Sequence, residues 1–383
     1  MNMNSTDVLV IGTGPVGYSA ALALAQSGRK VALIGTHVLP ARDGRTVALL
    51  DGSVNYLTSL GLWDAISATS APLSVMRMLD DTGSLFRPPP VSFKASELGL
   101  KAFGYNVELT DLVRVLTDAT KLNSDIVRVH GQVLNVNFHN TGDCIVTLDS
   151  NTQWSAPLIV GADGRNSVVR RSAEIAIKEW SYPQTALTAI LSHQRDHDDI
   201  STEFHTREGP FTLVPLPGRR SSLVWMMERS RAIYLASLDS HAFQLEVEKR
   251  AKSMLGKMVV EGLRGELPMS GMLSAAFSSG QAALVGEAAH LFPPIGAQGL
   301  NLGFRDVRSL AIALSKANVP NALRNYDTDR RADITLRTLA VDLLNRSLLT
   351  DFLPLDLARS LGLLTIASLP PLRRLMMRRG AGH

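Results

Sequence analysis

Residues 8–35 read VLVIGTGPVGYSAALALAQSGRKVALIG. The run VLVI is continuously apolar and stops at Gly12, the pattern of a strand buried on both faces. YSAALALAQSG is apolar at helical spacing and ends at Gly28, which suits a C-cap, and KVALIG (30–35) is a second buried strand. Strand, glycine turn, helix and strand within about 30 residues form the βαβ unit that cradles a dinucleotide. Gly12 permits the tight turn. Gly14, with Pro15 after it, lets the backbone approach a pyrophosphate, and Gly17 lets the helix pack closely on the strand. The helix N-terminus then offers unsatisfied N–H groups and the positive end of its dipole to the phosphates. The acid expected at the end of the second strand, for a ribose hydroxyl pair, is replaced by Gly35-Thr36-His37. Thr36 offers a hydroxyl in its place.

A chain of 383 residues exceeds one typical core, so two interleaved domains are expected. With 45% hydrophobic and 19% charged residues it has ample material for globular cores. A single cysteine, Cys144, excludes internal disulfides and a cysteine-based metal site and fits a reducing compartment. The first apolar run has no cationic lead, and no stretch of 18 uncharged apolar residues occurs, so a cytoplasmic placement is expected. A net charge of +4 gives no case for nucleic acid. The charge is uneven, however: RRLMMRR (373–379) has four arginines and no acid. It reads either as a solvated terminus or as a surface for acidic lipid headgroups at the inner face of a membrane.

Two further stretches repeat the logic of the first. In APLIVGADGRNSVVRRSA (156–173) a buried strand passes through a polar turn into a short helix. Asp163-Gly164 at that junction can reach a phosphate-linked sugar. In AALVGEAAHLFPPIGAQGLNLG (282–303) Glu287 follows a third buried strand, on the ligand side of an open α/β sheet. A carboxylate there accepts hydrogen bonds from a polyol. Pro293-Pro294 fixes an irregular segment, and Gly296 and Gly299 allow a flat ring to approach. The helix that follows aims the amides near Leu300 and Asn301 at that ring.

Together GTGPVG (12–17), GADGRNSVVR (161–170) and GEAAHLFPPIGAQGLN (286–301) resemble, in order and spacing, the motifs of the flavin-dependent aromatic hydroxylases. Within that superfamily, DGRTVALLDGSVNYLTSLGLWDAI (43–66) and the apolar C-terminal tail are most similar to the ubiquinone-biosynthesis hydroxylases. The resemblance implies non-covalent FAD, with Arg45 beside the flavin and Pro294, Gly299, Leu300 and Asn301 around its ring. It also implies NAD(P)H as a transient reductant, since no second GxGxxG is present, and O2 activation as a flavin C4a hydroperoxide that hydroxylates a phenol. The chemistry is then the cofactor's, and the catalytic side chains stay unassigned. His290 and Pro294 are candidates near the flavin, His290 as a relay or as a structural residue. The departures are the absent acid at position 35 and Glu287 where the family has Asp. NVELTD (106–111) has no clean counterpart in the family.

The expected fold is α/β: a Rossmann-like FAD domain (1–70, 97–180, 270–320) interleaved with a mainly antiparallel substrate domain (71–96, 181–269). A C-terminal helical segment (321–383) follows. Residues 71–86 read as a hairpin with Asp-Thr-Gly at its turn. The substrate is expected to be a polyprenyl phenol in ubiquinone biosynthesis, received from a membrane surface or from other proteins of that pathway. Two alternatives stay open. A hydroxylase of a small soluble aromatic acid would want a buried arginine, with Arg195, Arg207 and Arg219 in the relevant region, and a non-catalytic flavoprotein scaffold is the other.

Overall fold

In the computed structural model the opening motif folds as strand Val8–Ile11, helix Pro15–Gln26 and strand Val31–Gly35, the two strands parallel and paired Val8 to Val31 through Ile11 to Ile34. Described are residues 3–83, 89–139, 142–293 and 298–349, with side chains through Thr335. Both strands sit in a six-stranded sheet ordered Ser278–Ser279, Ala282–Leu284, Ile159–Gly161, Val8–Ile11, Val31–Gly35, Ile126–His130. All neighbours after the first pair are parallel. Each of the three quoted motifs therefore leaves the same end of one parallel sheet. Leu9, Leu33 and Ile34 are fully buried, each such side chain stabilising the fold by about 1.5–3 kcal/mol. One face of the sheet is closed by the helix Pro15–Gln26, which packs on Gln298–Lys316 and on Leu109–Leu122.

The second large sheet has eight strands, ordered His290–Leu291, Met258–Ser274, Ile177–His193, Arg220–Glu228, Phe211–Leu216, Ile200–His205, Val75–Asp80, Val91–Lys94. Only Ile200–His205 and Val75–Asp80 run parallel. One face buries Leu187, Leu223, Trp225, Leu213 and Phe204 with Leu235, Phe243 and Val247 of the helices Arg229–Ser237 and Ser240–Arg250. The other face meets Thr46 and Asn106, both of which donate to Ser222 Oγ. A three-stranded sheet, Thr46–Leu50, Gly104–Glu108 and Ser70–Pro72, stands between the two large sheets. A four-stranded sheet (Met3–Ser5, Gln153–Ala156, Cys144–Leu148, Val133–Asn137) covers the periphery.

The hairpin read at 71–86 takes a different form. Ser70–Pro72 pairs with Gly104–Glu108, while Val75–Asp80 pairs with Val91–Lys94 beyond the Asp-Thr-Gly turn. The segment 71–79 is thus shared between two sheets, because Leu73 and Ser74 hand the backbone from one to the other through hydrogen bonds to Gly104 and Asp199. Pro294, Gly296 and the arginine-rich tail lie outside the described residues. No helix among the described residues is long and apolar enough to cross a membrane.

Candidate cofactor site

The first turn is built by close approach. Gly12 donates to Ile34 O at 2.8 Å, and the Ala162 amide donates to Ile11 O at 2.7 Å. With φ +116°, Gly12 would carry a Cβ 2.1 Å from the Ala162 carbonyl oxygen, and a Cβ at Gly17 would lie 2.0 Å from Gly12 O. These two glycines are demanded by the protein's own packing. Gly14 is not: its φ and ψ of −83° and 176° suit any residue, and a Cβ there meets no atom within 4 Å. Gly14 caps a helix whose first residue is Pro15, with no side-chain cap and no acid in the first turn. A helix start with orphan amides and open space at Gly14 suits a pyrophosphate.

The absent acid has a steric explanation. A Cβ on Gly35 would stand 2.6 Å from Thr13 Cγ2 and 2.7 Å from its Oγ1. Thr13 Oγ1 accepts from the His37 amide at 3.2 Å, and His37 holds φ +52°. Thr13 therefore occupies the volume a side chain at position 35 requires. Thr36 is exposed just past the strand.

In the second motif Ser167 caps Val168–Ser172 by accepting from the Arg170 amide. Asp163 Oδ2 accepts from the Val168 and Val169 amides at 2.7 and 3.2 Å, while Oδ1 is buried with no partner among the described residues. Burial pushes this carboxyl upward, against hydrogen bonds from Ser167 and the two amides. An orphaned buried acceptor beside Gly164, which holds φ +75°, matches a site for a ligand hydroxyl. Arg170, buried, donates to Ala288 O at 2.8 Å and Arg165 O at 2.7 Å, clamping the second loop to the third.

Glu287 is exposed in the single turn Gly286–Ala288, immediately after the strand Ala282–Leu284 and between two buried residues. Beneath it lies Asp306, which accepts from Gly286 N (2.9 Å), His290 Nε2 (2.7 Å) and Arg330 Nε (2.7 Å). His290 is only 1% exposed and holds this loop from below. Asn301 is likewise structural in its side chain: Oδ1 accepts from Leu50 N and Ser53 Oγ, and Nδ2 donates to Ala48 O. Its amide and that of Leu300 lie in the first turn of Gln298–Lys316, where a Cβ at Gly299 meets nothing within 4 Å. Arg45 pairs with Asp43 Oδ1 at 2.9 Å, and its carbonyl accepts from Leu109 N.

The structure thus gathers Gly12, Gly14, Pro15, Gly17, Asp163, Gly164 and Glu287 at one sheet end, with the start of Gln298–Lys316 packed on the Glu287 turn. Open backbone at Gly14, an orphaned carboxylate oxygen at Asp163 and an exposed carboxylate at Glu287 fit the phosphate, sugar and polyol parts of FAD. Thr13, Arg170 and Asp306 escape sequence reasoning. Thr13 reads as a spacer between glycines, and Asp306 as an exposed acid on an amphipathic helix. Arg170 alone carried a signal, its place at the end of the second motif.

Comparison with known proteins agrees with the geometry. A family model described as an FAD binding domain matches residues 5–336. The chain belongs to this family. It is an FAD-dependent monooxygenase, of the class of flavin-dependent aromatic hydroxylases to which the ubiquinone-biosynthesis enzymes belong. It is 34% identical to the ubiquinone hydroxylase UbiL of Rhodospirillum rubrum, over 98% of this chain and 89% of that one. It is 31% identical to the 3-demethoxyubiquinol 3-hydroxylase of Escherichia coli over the whole of both chains. Among solved structures, p-nitrophenol 4-monooxygenase PnpA of Pseudomonas putida superposes with TM-score 0.81 at 17% identity, covering 98% of each chain. HpxO of Klebsiella pneumoniae, complexed with FAD and uric acid, gives 0.78 at 18% identity, covering 99% of this chain and 96% of that one. These likenesses fix the fold of the monooxygenase.

Proposed function

We propose that this monooxygenase hydroxylates the ring of a prenylated phenol in ubiquinone biosynthesis, with FAD reduced by NAD(P)H. The observation that carries the substrate class is the chemistry of the sheet face turned toward the cofactor site. Ala186, Met226 and Met269 form an apolar cluster there with Tyr182, Val224 and Leu267. Arg220 is held on that side of the sheet between Glu108 (2.9 Å) and Glu261 (2.9 Å), so its charge is already matched. Arg195, Arg207 and Arg219, the cations a soluble aromatic acid would need, are all exposed. Near full-length identity to enzymes named for ubiquinone hydroxylation supports the same reading.

FAD, when bound, supplies the oxygen chemistry. The residues of this chain position it. Gly12, Gly14 and the start of the helix Pro15–Gln26 would receive the pyrophosphate, Asp163 and Glu287 would receive hydroxyls, and the first turn of Gln298–Lys316 would present its positive dipole end to the ring. That helix start would stabilise negative charge on a bound ring by about 0.3–1 kcal/mol. The apolar face excludes water and holds the phenol. A long isoprenoid gains about 0.8 kcal/mol per buried CH₂, so it arrives from lipid, which suits the arginines at 373, 374, 378 and 379.

The test is substrate-stimulated NAD(P)H oxidation with a short prenylphenol against 4-hydroxybenzoate, the former presented in neutral or anionic vesicles. The proposal expects stimulation by the prenylphenol, faster from anionic vesicles. Stimulation by the acid alone would overturn it.

A further inference from the structure

Residues Gln184 to Ser192 of the strand Ile177–His193 pair with Arg220–Glu228 without a slip, so their side chains alternate strictly between the two faces. Leu187, Ala189 and Leu191 pack with the helices Arg229–Ser237 and Ser240–Arg250, which leaves Gln184, Ala186 and Thr188 on the opposite face. That face meets the loop that carries Arg45: Thr188 Oγ1 donates to Asp43 O at 3.1 Å. Four residues, about 13 Å of strand, separate Thr188 from Gln184. Between them Ala186 and its cross-strand partner Met226 form an apolar floor, with Leu267 and Met269 beside it.

Gln184 closes this floor at its far end and is only 4% exposed. Its Nε2 donates to Glu208 O at 3.3 Å, and because a carbonyl can only accept, that contact fixes which end of the amide is nitrogen. Oε1 is buried with no partner among the described residues. The turn that holds Nε2 is itself fixed. Thr206 Oγ1 donates to Gly209 O at 2.6 Å, and Gly209, at φ +141°, lies so close that a Cβ on it would stand 2.9 Å from Met226 Cβ. Other polar groups on the face are engaged: Thr188 by Asp43, Ser222 by Thr46 and Asn106. Tyr182 Oη accepts from Trp180 Nε1 at 2.7 Å. An acceptor buried beside apolar side chains and lacking a donor is unfavourable until something supplies one.

We propose that Gln184 Oε1 accepts a hydrogen bond from a hydroxyl on the substrate's ring, which makes Gln184 a specificity-determining residue that selects a hydroxylated ring. The inference rests on the phenol reading given above. The floor of Ala186 and Met226 offers hydrophobic contact to any flat ring, so it discriminates little; the amide oxygen discriminates by what the ring can donate. A hydroxylated ring brings the missing donor. A bare ring leaves Oε1 unpaired, and a quinone sets one acceptor against another with no proton between them. The site therefore favours the reduced, hydroxylated form of a ring over its oxidised form.

The probes are a short prenylphenol and the same prenylbenzene without its hydroxyl, each titrated into FAD-loaded protein with binding read from the flavin absorbance. Gln184→Met, similar in volume, should keep its FAD content and its affinity for the prenylbenzene. Its preference for the prenylphenol should fall about 10-fold below that of wild type. Gln184→Glu should keep the preference, because a buried, protonated carboxyl still donates to Glu208 O and leaves a carbonyl oxygen to accept. An unchanged preference in Gln184→Met overturns the assignment while leaving phenol binding intact. A loss in Gln184→Glu as large as that in Gln184→Met marks a packing role and overturns it too. If neither probe perturbs the flavin spectrum of wild type, the phenol reading itself fails and the role of Gln184 falls with it.

Discussion

Restoring an acid to position 35 should improve FAD binding only when Thr13 is removed as well. A Cβ at Gly35 lies 2.6 Å from Thr13 Cγ2, so Gly35→Glu alone overpacks the turn, at a cost of about 1–3 kcal/mol. A carboxylate on the ribose hydroxyls contributes about 1.5–3 kcal/mol, so in the single variant the two effects offset and affinity stays near wild type. Thr13→Ala alone loses the hydrogen bond to the His37 amide, a loss of about 0.5–1.5 kcal/mol. The double variant removes the two closest atoms, leaving only the Cβ of residue 13 at 3.1 Å, and keeps the new contact. Against Thr13→Ala it should bind FAD roughly 10- to 150-fold more tightly, since 1.4 kcal/mol is tenfold. FAD fluorescence quenching on titration into apoprotein reads all four corners of the cycle. Tight binding by Gly35→Glu alone, or no gain in the double variant, would refute the steric explanation.

Gly14→Val should fold as wild type, because its backbone angles suit any residue and a Cβ there meets nothing within 4 Å, yet purify without FAD. Yellow protein at full occupancy would remove the pyrophosphate assignment. Glu287→Ala should weaken FAD by about 1.5–3 kcal/mol without loss of thermal stability, since the side chain is exposed, and Glu287→Asp should retain most of the binding. Equal losses in both would show that the carboxylate is not what the cofactor meets. Asp306→Asn leaves Arg330, 2% exposed, without its buried counter-charge, so denaturant unfolding should show a loss of about 3–5 kcal/mol. A loss under 1 kcal/mol would show that the Asp306 network does not hold the Glu287 loop.

The parallel sheet was legible because its signals are local: a buried run, a glycine turn and a helix start within a few residues, three times over. The eight-stranded sheet was harder. Ile177–His193 is one strand of 17 residues, but Pro183 removes a ladder donor and its register slips between Ser181 and Thr185, so the sequence reads as shorter pieces. Within the site, the glycines announced themselves, whereas Asn301 gave no sign that its side chain ties the helix to Ala48 and Leu50, nor His290 that it supports Gly286 through Asp306. Such roles depend on residues far apart in the chain.

Mass spectrometry of the product formed from a short prenylphenol under ¹⁸O₂, with FAD-loaded enzyme and NAD(P)H, decides whether this chain oxygenates a prenylated ring. The ring should gain one labelled oxygen. Reductant consumed with every prenylphenol left unoxygenated would contradict it.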